Sequence, residues 1–258
     1  KSFDRQDLFG KFADYDRMYE ESKMNIYAVT RKGKNKKESD DRIVMDDNIL
    51  NDTARLFEND SPKIIGISDG VGGNAGGNLA AQFICEHAAH LLNNALLQSA
   101  TKMNAELLQY AAKIKGNEKM AATFSAIIFG KEMKILHIGN TRIYTTQGNY
   151  LKQITNDHTT FNWLRFRGFY EEAEHCNKSE LVSCFGGGTE KLFSPDVIDI
   201  FDFNNIVMTS DGIHDYVDID YMEEIICSEK SPQEKCNELM QAASHNGSVD
   251  DSSIVLMY

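Results

Sequence analysis

From Asn25 onward, short apolar runs alternate with polar turns, and the runs fall into the two periods that separate strands from helices. Residues 25–30 (NIYAVT), 42–45 (RIVM) and 63–68 (KIIGIS) are rich in β-branched side chains and bounded by polar stretches, so each predicts a strand. The glycine-rich stretch 69–77 (DGVGGNAGG) opens a helical pattern. Leu79, Phe83, Ala88, Leu91 and Leu92 share one face of it, predicting a helix over 78–97. A second helical pattern covers 104–114. Strands return at 123–130, 133–139, 141–146 and 150–155, with Gly130, Gly139 and Gly148 near their ends. A helix is predicted over 158–168, followed by acidic EEAEH and the turn-like FGGGTE. Strands at 196–201 and 205–210, helices at 221–228 and 232–244, and a strand at 252–258 close the chain. Helices that come in pairs, rather than one after nearly every strand, predict an α+β sandwich and not a Rossmann-like sheet. Residues 1–24, polar with Phe3, Phe9, Phe12, Tyr15 and Tyr19, read as an N-terminal arm, either amphipathic helix or loose edge. The domain proper is assigned to 25–258.

Composition narrows the function classes. With 258 residues, 41% hydrophobic and 26% charged, the chain can bury a continuous core and is not a disordered one. Its net charge of −12 repels phosphate backbones, so no nucleic-acid partner is expected, while cations are attracted. Five cysteines without a CxxC pair form neither a disulfide framework nor a zinc knuckle, which points to a reducing, cytoplasmic compartment. No apolar run reaches the roughly 18 residues of a membrane helix. The opening at Lys1 rather than Met leaves room for a longer parent protein, and the oligomeric state is not legible.

The chemistry sits at strand ends. KIIGIS ends in Asp69-Gly70 and NIVMTS ends in Asp211-Gly212, while Asp40-Asp41 precede RIVM and Asp250-Asp251 precede SSIVLM. Asp-Gly is among the commonest turn pairs, and either one alone reads as a sharp turn. Four acidic clusters flanking four core-like strands suggest more. Converging carboxylates repel one another, and hard divalent cations with oxygen ligands relieve that repulsion. The glycines after Asp69 are not a Walker loop, since no Lys-Ser/Thr follows, and they do not fit a dinucleotide fingerprint. They allow either a backbone carbonyl to approach a cation or a tight strand-to-helix turn, and spacing does not separate the two.

Six segments in order resemble the motifs of one family, the metal-dependent protein phosphatases of the PPM, or type 2C, class in its short bacterial form. Gly33-x-x-Lys36-x-x-Ser39-Asp40-Asp41 resembles its opening motif, and Asp69-Gly70-Val71-Gly72-Gly73 its Asp-Gly-x-Gly-Gly. Gly139-Asn140-Thr141-Arg142 is similar to Gly-Asp-Ser-Arg, and Leu151 through Asp157-His158-Thr159 to the family's Asp-His-Ser strand end. Ser210-Asp211-Gly212-Ile213-His214-Asp215 and Asp250-Asp251-Ser252-Ser253-Ile254-Val255 complete the series. The resemblance implies an αββα sandwich of two antiparallel sheets flanked by helix pairs. It also implies hydrolysis of phosphoserine and phosphothreonine in proteins by a metal-bridged hydroxide. Carried over, Asp69 would bridge two Mn²⁺ or Mg²⁺ ions and the Gly70 carbonyl would ligate one of them. Asp211 and Asp250 would hold the other, Asp40 would act through water, and Asp41 would stand behind it. Lys36 would meet the phosphoryl group. A phosphoprotein is the implied partner.

The departures carry expectations of their own. Lys36 replaces the usual arginine and keeps its charge without the bidentate fork; it also belongs to the solvated run RKGKNKK. Val71 stands where animal members have a histidine proposed as general acid. Asn140 replaces an aspartate linked to a third metal, which predicts a two-ion site. These changes keep a second reading open, a pseudophosphatase that binds or regulates. His87 and His90 read as ordinary helix residues, His158 as a structural turn residue and Cys184 as core. Trp163, Arg165 and Arg167 are candidates for substrate specificity, or else helix core.

Overall fold

The apolar runs pair into two six-stranded antiparallel sheets in a computed structural model that describes residues 23–71, 75–93, 95–130, 132–200 and 204–258. The predicted arm falls outside these residues except for Lys23 and Met24. The first sheet runs β10 (Tyr150–Gln153), β9 (Arg142–Gln147), β13 (Ile206–Thr209), β14 (Ser252–Met257), β1 (Met24–Arg31) and β4 (Ala54–Asp60). The second runs β12 (Asp196–Ile200), β8 (Met133–Ile138), β7 (Phe124–Ile128), β5 (Ile64–Ser68), β2 (Arg42–Met45) and β3 (Asn48–Leu50). A small ladder joins β6 (Ala121–Ala122) to β11 (Phe185–Gly186).

Strand alternation assigns the core. Ile65 and Ile67 of β5, Ile26 and Ala28 of β1, and Val255 and Met257 of β14 pack in one cluster between the sheets. The intervening residues face outward onto helices. Ile64 packs beneath α1 (Gly77–His87) and α2 (Leu96–Ala111), with Ala80, Ile84, Met103 and Leu107. Tyr27, Val29, Ile254 and Leu256 pack against α6 (Ile219–Ile226) and α7 (Pro232–His245), with Met222, Ile225 and Leu239. Four layers result, helix pair on sheet on sheet on helix pair, as the resemblance implies. Strands with both faces buried explain why their sequences are nearly continuous apolar runs rather than alternating ones.

Several boundaries differ from the sequence reading. The helix expected over 78–97 ends at His87; a 3-10 turn follows at Ala88–Leu91, and a new helix starts at Leu96 instead of 104. Asn93 makes the break: its amide donates to the His90 carbonyl at 2.6 Å and accepts from the Ala95 N–H at 2.8 Å. Besides the two-residue β6 and β11, the strands β3 and β4 have no counterpart in the sequence reading. Each lies at the edge of its sheet, where exposed positions admit polar residues and erase the apolar run. Two short helices, α3 (Thr160–Phe166) and α4 (Tyr170–His175), stand away from the core with Ala173 as their one buried residue.

Candidate metal centre

Two layers deliver acidic residues to the same end of the sandwich. Asp41 directly precedes β2 and Asp69 directly follows β5, and the register Arg42↔Ser68 sets these two strand ends side by side. From the other sheet, Asp211 begins the short helix α5 (Asp211–His214) just after β13, while Asp250 and Asp251 precede β14. Thr209 pairs with Ile254, so these ends are neighbours as well. A hydrogen bond across the layers joins them: Ser253 Oγ donates to Asp41 Oδ2 at 2.7 Å.

The glycines beside the acids serve close approach. Neither Gly70 nor Gly212 has positive φ, so the sharp turn expected from Asp-Gly is not their role. A Cβ on Gly212 would lie 1.8 Å from the Asp251 carbonyl oxygen, and one on Gly70 would lie 2.4 Å from the Gly77 carbonyl carbon.

Electrostatically the cluster is crowded. Burial raises the pKa of Asp41 to about 7, helped by the Asp251 and Asp211 charges and opposed by the Ser253 hydrogen bond. Asp69 is raised well above the ordinary carboxylate range by burial and then by the charges of Asp41, Asp211 and Asp250. Asp211 is raised by burial and by Asp250. Asp69 and Asp211 are close enough to influence one another's titration, and Asp211 helps to raise Asp69. Asn140 Nδ2 donates to Asp211 Oδ2 at 3.0 Å. Among the described residues Asp41 Oδ1 is buried and meets no donor in hydrogen-bonding geometry, although Ser210 as well as Ser253 lies close enough to Asp41 to hold its pKa down.

Lys36 closes the mouth of the cluster. Its ammonium stands 2.6 Å from Asp250, 2.9 Å from Asp251 and 3.2 Å from Asp40. Burial alone would lower its pKa, but the hydrogen bonds to Asp250 and Asp251 outweigh that and the net shift is upward. Asp251 also accepts from the Gly33 N–H at 2.7 Å and the Asp40 N–H at 2.6 Å. The sequence reading gave this buried residue no role of its own; the Asp250-Asp251 doublet was its only signal.

Among the described residues, no three His, Cys, Asp or Glu side chains are already set as a metal-holding group. Lys36 bonds Asp40 and Asp250, and Asn140 bonds Asp211. The donor set nevertheless fits hard divalent cations. It is all oxygen and it repels itself, the charges of Asp211 and Asp250 both raising Asp69. Gly72, Gly73 and Asn74 of the glycine-rich segment lie outside the described residues.

Around this centre, Arg142 Nη2 pairs with Asp157 at 2.6 Å, and Nε reaches both Asp157 oxygens at 3.0 Å. His158 is structural: Nδ1 accepts from the Gly139 N–H at 3.3 Å and its ring packs on His137, while Thr159 caps α3. Cys184 is buried, and His87 stacks on Phe83. Trp163 and Phe166 are exposed, with Arg165 over the Phe161 and Tyr170 rings and Arg167 over Trp163.

No family model matches the chain. It is 26% identical over 227 residues to a serine/threonine phosphatase, Stp, of Listeria welshimeri, covering 80% of this chain and 88% of that one. Its fold superposes on the serine/threonine phosphatase Stp1 of Staphylococcus aureus with a TM-score of 0.75, at 21% identity, over 92% of this chain and 95% of that one. In sequence and in fold the chain is similar to bacterial serine/threonine phosphatases. Another structural neighbour is the catalytic domain of the serine/threonine protein phosphatase PstP, solved in complex with two manganese ions, at TM-score 0.70 and 22% identity over 92% of this chain and 98% of that one. No helix among the described residues of this chain is long and apolar enough to cross a membrane.

Proposed function

We propose that the protein is a serine/threonine protein phosphatase that uses divalent metal ions, Mn²⁺ or Mg²⁺, to hydrolyse phosphoserine and phosphothreonine in proteins. The observation that carries this reading is the meeting of carboxylates from both sheets at one end of the sandwich, where the charges of Asp41, Asp211 and Asp250 all act on Asp69 and Ser253 of one sheet bonds Asp41 of the other. The relatives named above support the reaction class, and the manganese-loaded PstP domain supports the choice of ion.

Asp69, Asp211 and Asp250 are assigned to hold the ions together with the Gly70 carbonyl, and Asp40 to act through water. When bound, such ions supply a hydroxide near neutral pH and offset charge on the phosphoryl group. Asp41, fixed by Ser253, holds the inner wall of the centre in register. Asn140 orients Asp211 by its hydrogen bond, a role a carboxylate there could not fill without a proton or a cation. Lys36 contributes the positive charge for the phosphoryl oxygens. No protein nucleophile is needed, which accords with buried, high-pKa thiols at Cys85 and Cys236. The exposed aromatic and arginine surface of α3 and α4 is assigned to contacts with the phosphoprotein.

The test is hydrolysis of phosphoserine and phosphothreonine peptides with Mn²⁺ and after EDTA. Turnover is expected with Mn²⁺, lost in EDTA, and lowered about a hundredfold or more by Asp211→Ala. Bound manganese without turnover would make the protein a binding module instead.

A further inference from the structure

Lys36 is held where a metal ion has to compete with it. The segment that carries it is built for that position. The Lys36 N–H donates to the Gly33 carbonyl at 3.3 Å, and Asn35 sits at φ 67 between them, closing a tight turn. Gly33 lies so close to the 249–250 backbone that an added Cβ would be 2.4 Å from the Val249 carbonyl oxygen. Asp251 ties both ends of the loop by accepting from Gly33 N and Asp40 N. The ammonium therefore projects from a braced turn into three carboxylates, at 2.6, 2.9 and 3.2 Å.

We infer that Lys36 is the built-in counter-cation of this centre: it holds Asp40, Asp250 and Asp251 together without a metal ion and weakens binding of the ion that Asp250 would hold. This rests on the metal-dependent reading above. The shortest of its three contacts is to Asp250 Oδ1. An ion taken up at Asp250 must displace the ammonium or share the carboxylate with it, and two cations on one carboxylate repel. Ion uptake is thus an exchange, with the affinity reduced by whatever the lysine contacts contribute. The side-chain type suits the role. A compact ammonium with three donors can serve three separate carboxylates, whereas the planar fork of arginine matches one carboxylate or one phosphoryl group. Displacement also frees the ammonium at the partly open mouth of the site, where its charge becomes available to an anionic substrate. Ion binding and phosphoryl binding are coupled through one side chain.

The experiment is calorimetric titration of the purified protein with Mn²⁺ alone, for the native sequence and for Lys36→Met, with thermal unfolding in EDTA alongside. Lys36→Gln, which keeps a hydrogen-bonding side chain without the charge, is the second variant should the methionine form fold poorly. Removing the ammonium should tighten the weakest Mn²⁺ site by about tenfold or more, and should lower the unfolding temperature in EDTA, because three carboxylates lose their common partner. Manganese affinity unchanged or weaker in both variants, with the native protein binding ions normally, would overturn the counter-cation role alone. Absence of Mn²⁺ uptake by the native protein and by both variants would overturn the metal-dependent reading and this role together.

Discussion

His137 is the buried titratable side chain best isolated from the carboxylate cluster. Its Nδ1 lies 2.7 Å from Ser125 Oγ and its Nε2 2.8 Å from the Asn156 carbonyl oxygen. Burial, then the neighbouring His158, lowers its pKa from 6.5 to about 4. The unfolded chain therefore binds the extra proton first as pH falls. Stability from this residue is complete above about pH 6.5 and is lost progressively toward pH 4, by up to about 3 kcal/mol. The raised pKa values of Asp41, Asp69 and Asp211 work in the opposite direction, since those residues are relieved by protonation. The measurement is therefore comparative. Urea midpoints at pH 7 and pH 5 should fall further in the native sequence than in His137→Gln, and equal falls would refute the assignment. At the same scale the acidic residues were legible, and the resemblance grouped them, but their contact with Lys36 was not. Asp250 and Lys36 lie 214 positions apart, and nothing local signals their 2.6 Å contact. The glycines beside the acids were legible too, but for the wrong reason: turn chemistry is local, whereas the Asp251 carbonyl that excludes a side chain from Gly212 arrives from a distant strand.

Among the helices, α7 has the most complete start signal. Ser231 Oγ accepts from the Glu234 N–H, the Glu234 carboxylate accepts from the Ser231 N–H at 2.9 Å, and Pro232 occupies the first turn. Ser231→Ala should lower stability by about 1 kcal/mol, read as a shifted denaturant midpoint with unchanged slope and unchanged phosphatase activity. Elements with such end signals, or with both faces buried, were placed well by pattern alone. Those without them were not. The apolar stripe runs on through Leu91 and Leu96, so the break around Asn93 is visible only through its side-chain hydrogen bonds. The edge strands β3 and β4 lack the burial that would give them an apolar signature.

For the molecule as a whole, the candidate centre is one of the places where the two sheets are joined by polar groups rather than by the apolar layer between them, as Arg55 of β4 and Asn48 of β3 also join them. An ion held by side chains from both sheets binds the folded state and not the unfolded chain. Mn²⁺ should therefore raise the unfolding temperature with a concentration-dependent gain, about 2.7 kcal/mol at a hundred times the dissociation constant. EDTA should reverse it, and a melting temperature indifferent to Mn²⁺ would count against a centre shared between the layers. The sequence by itself determined the strand and helix types, the α+β class and the acidic strand ends, because hydrophobic period and residue chemistry are local properties. Tertiary structure alone decided that those ends meet, that Asp251 and Asn140 brace them, and that Lys36 turns inward onto three carboxylates. Those outcomes depend on sheet register and on packing one sheet against another, which bring together residues that no window along the chain contains.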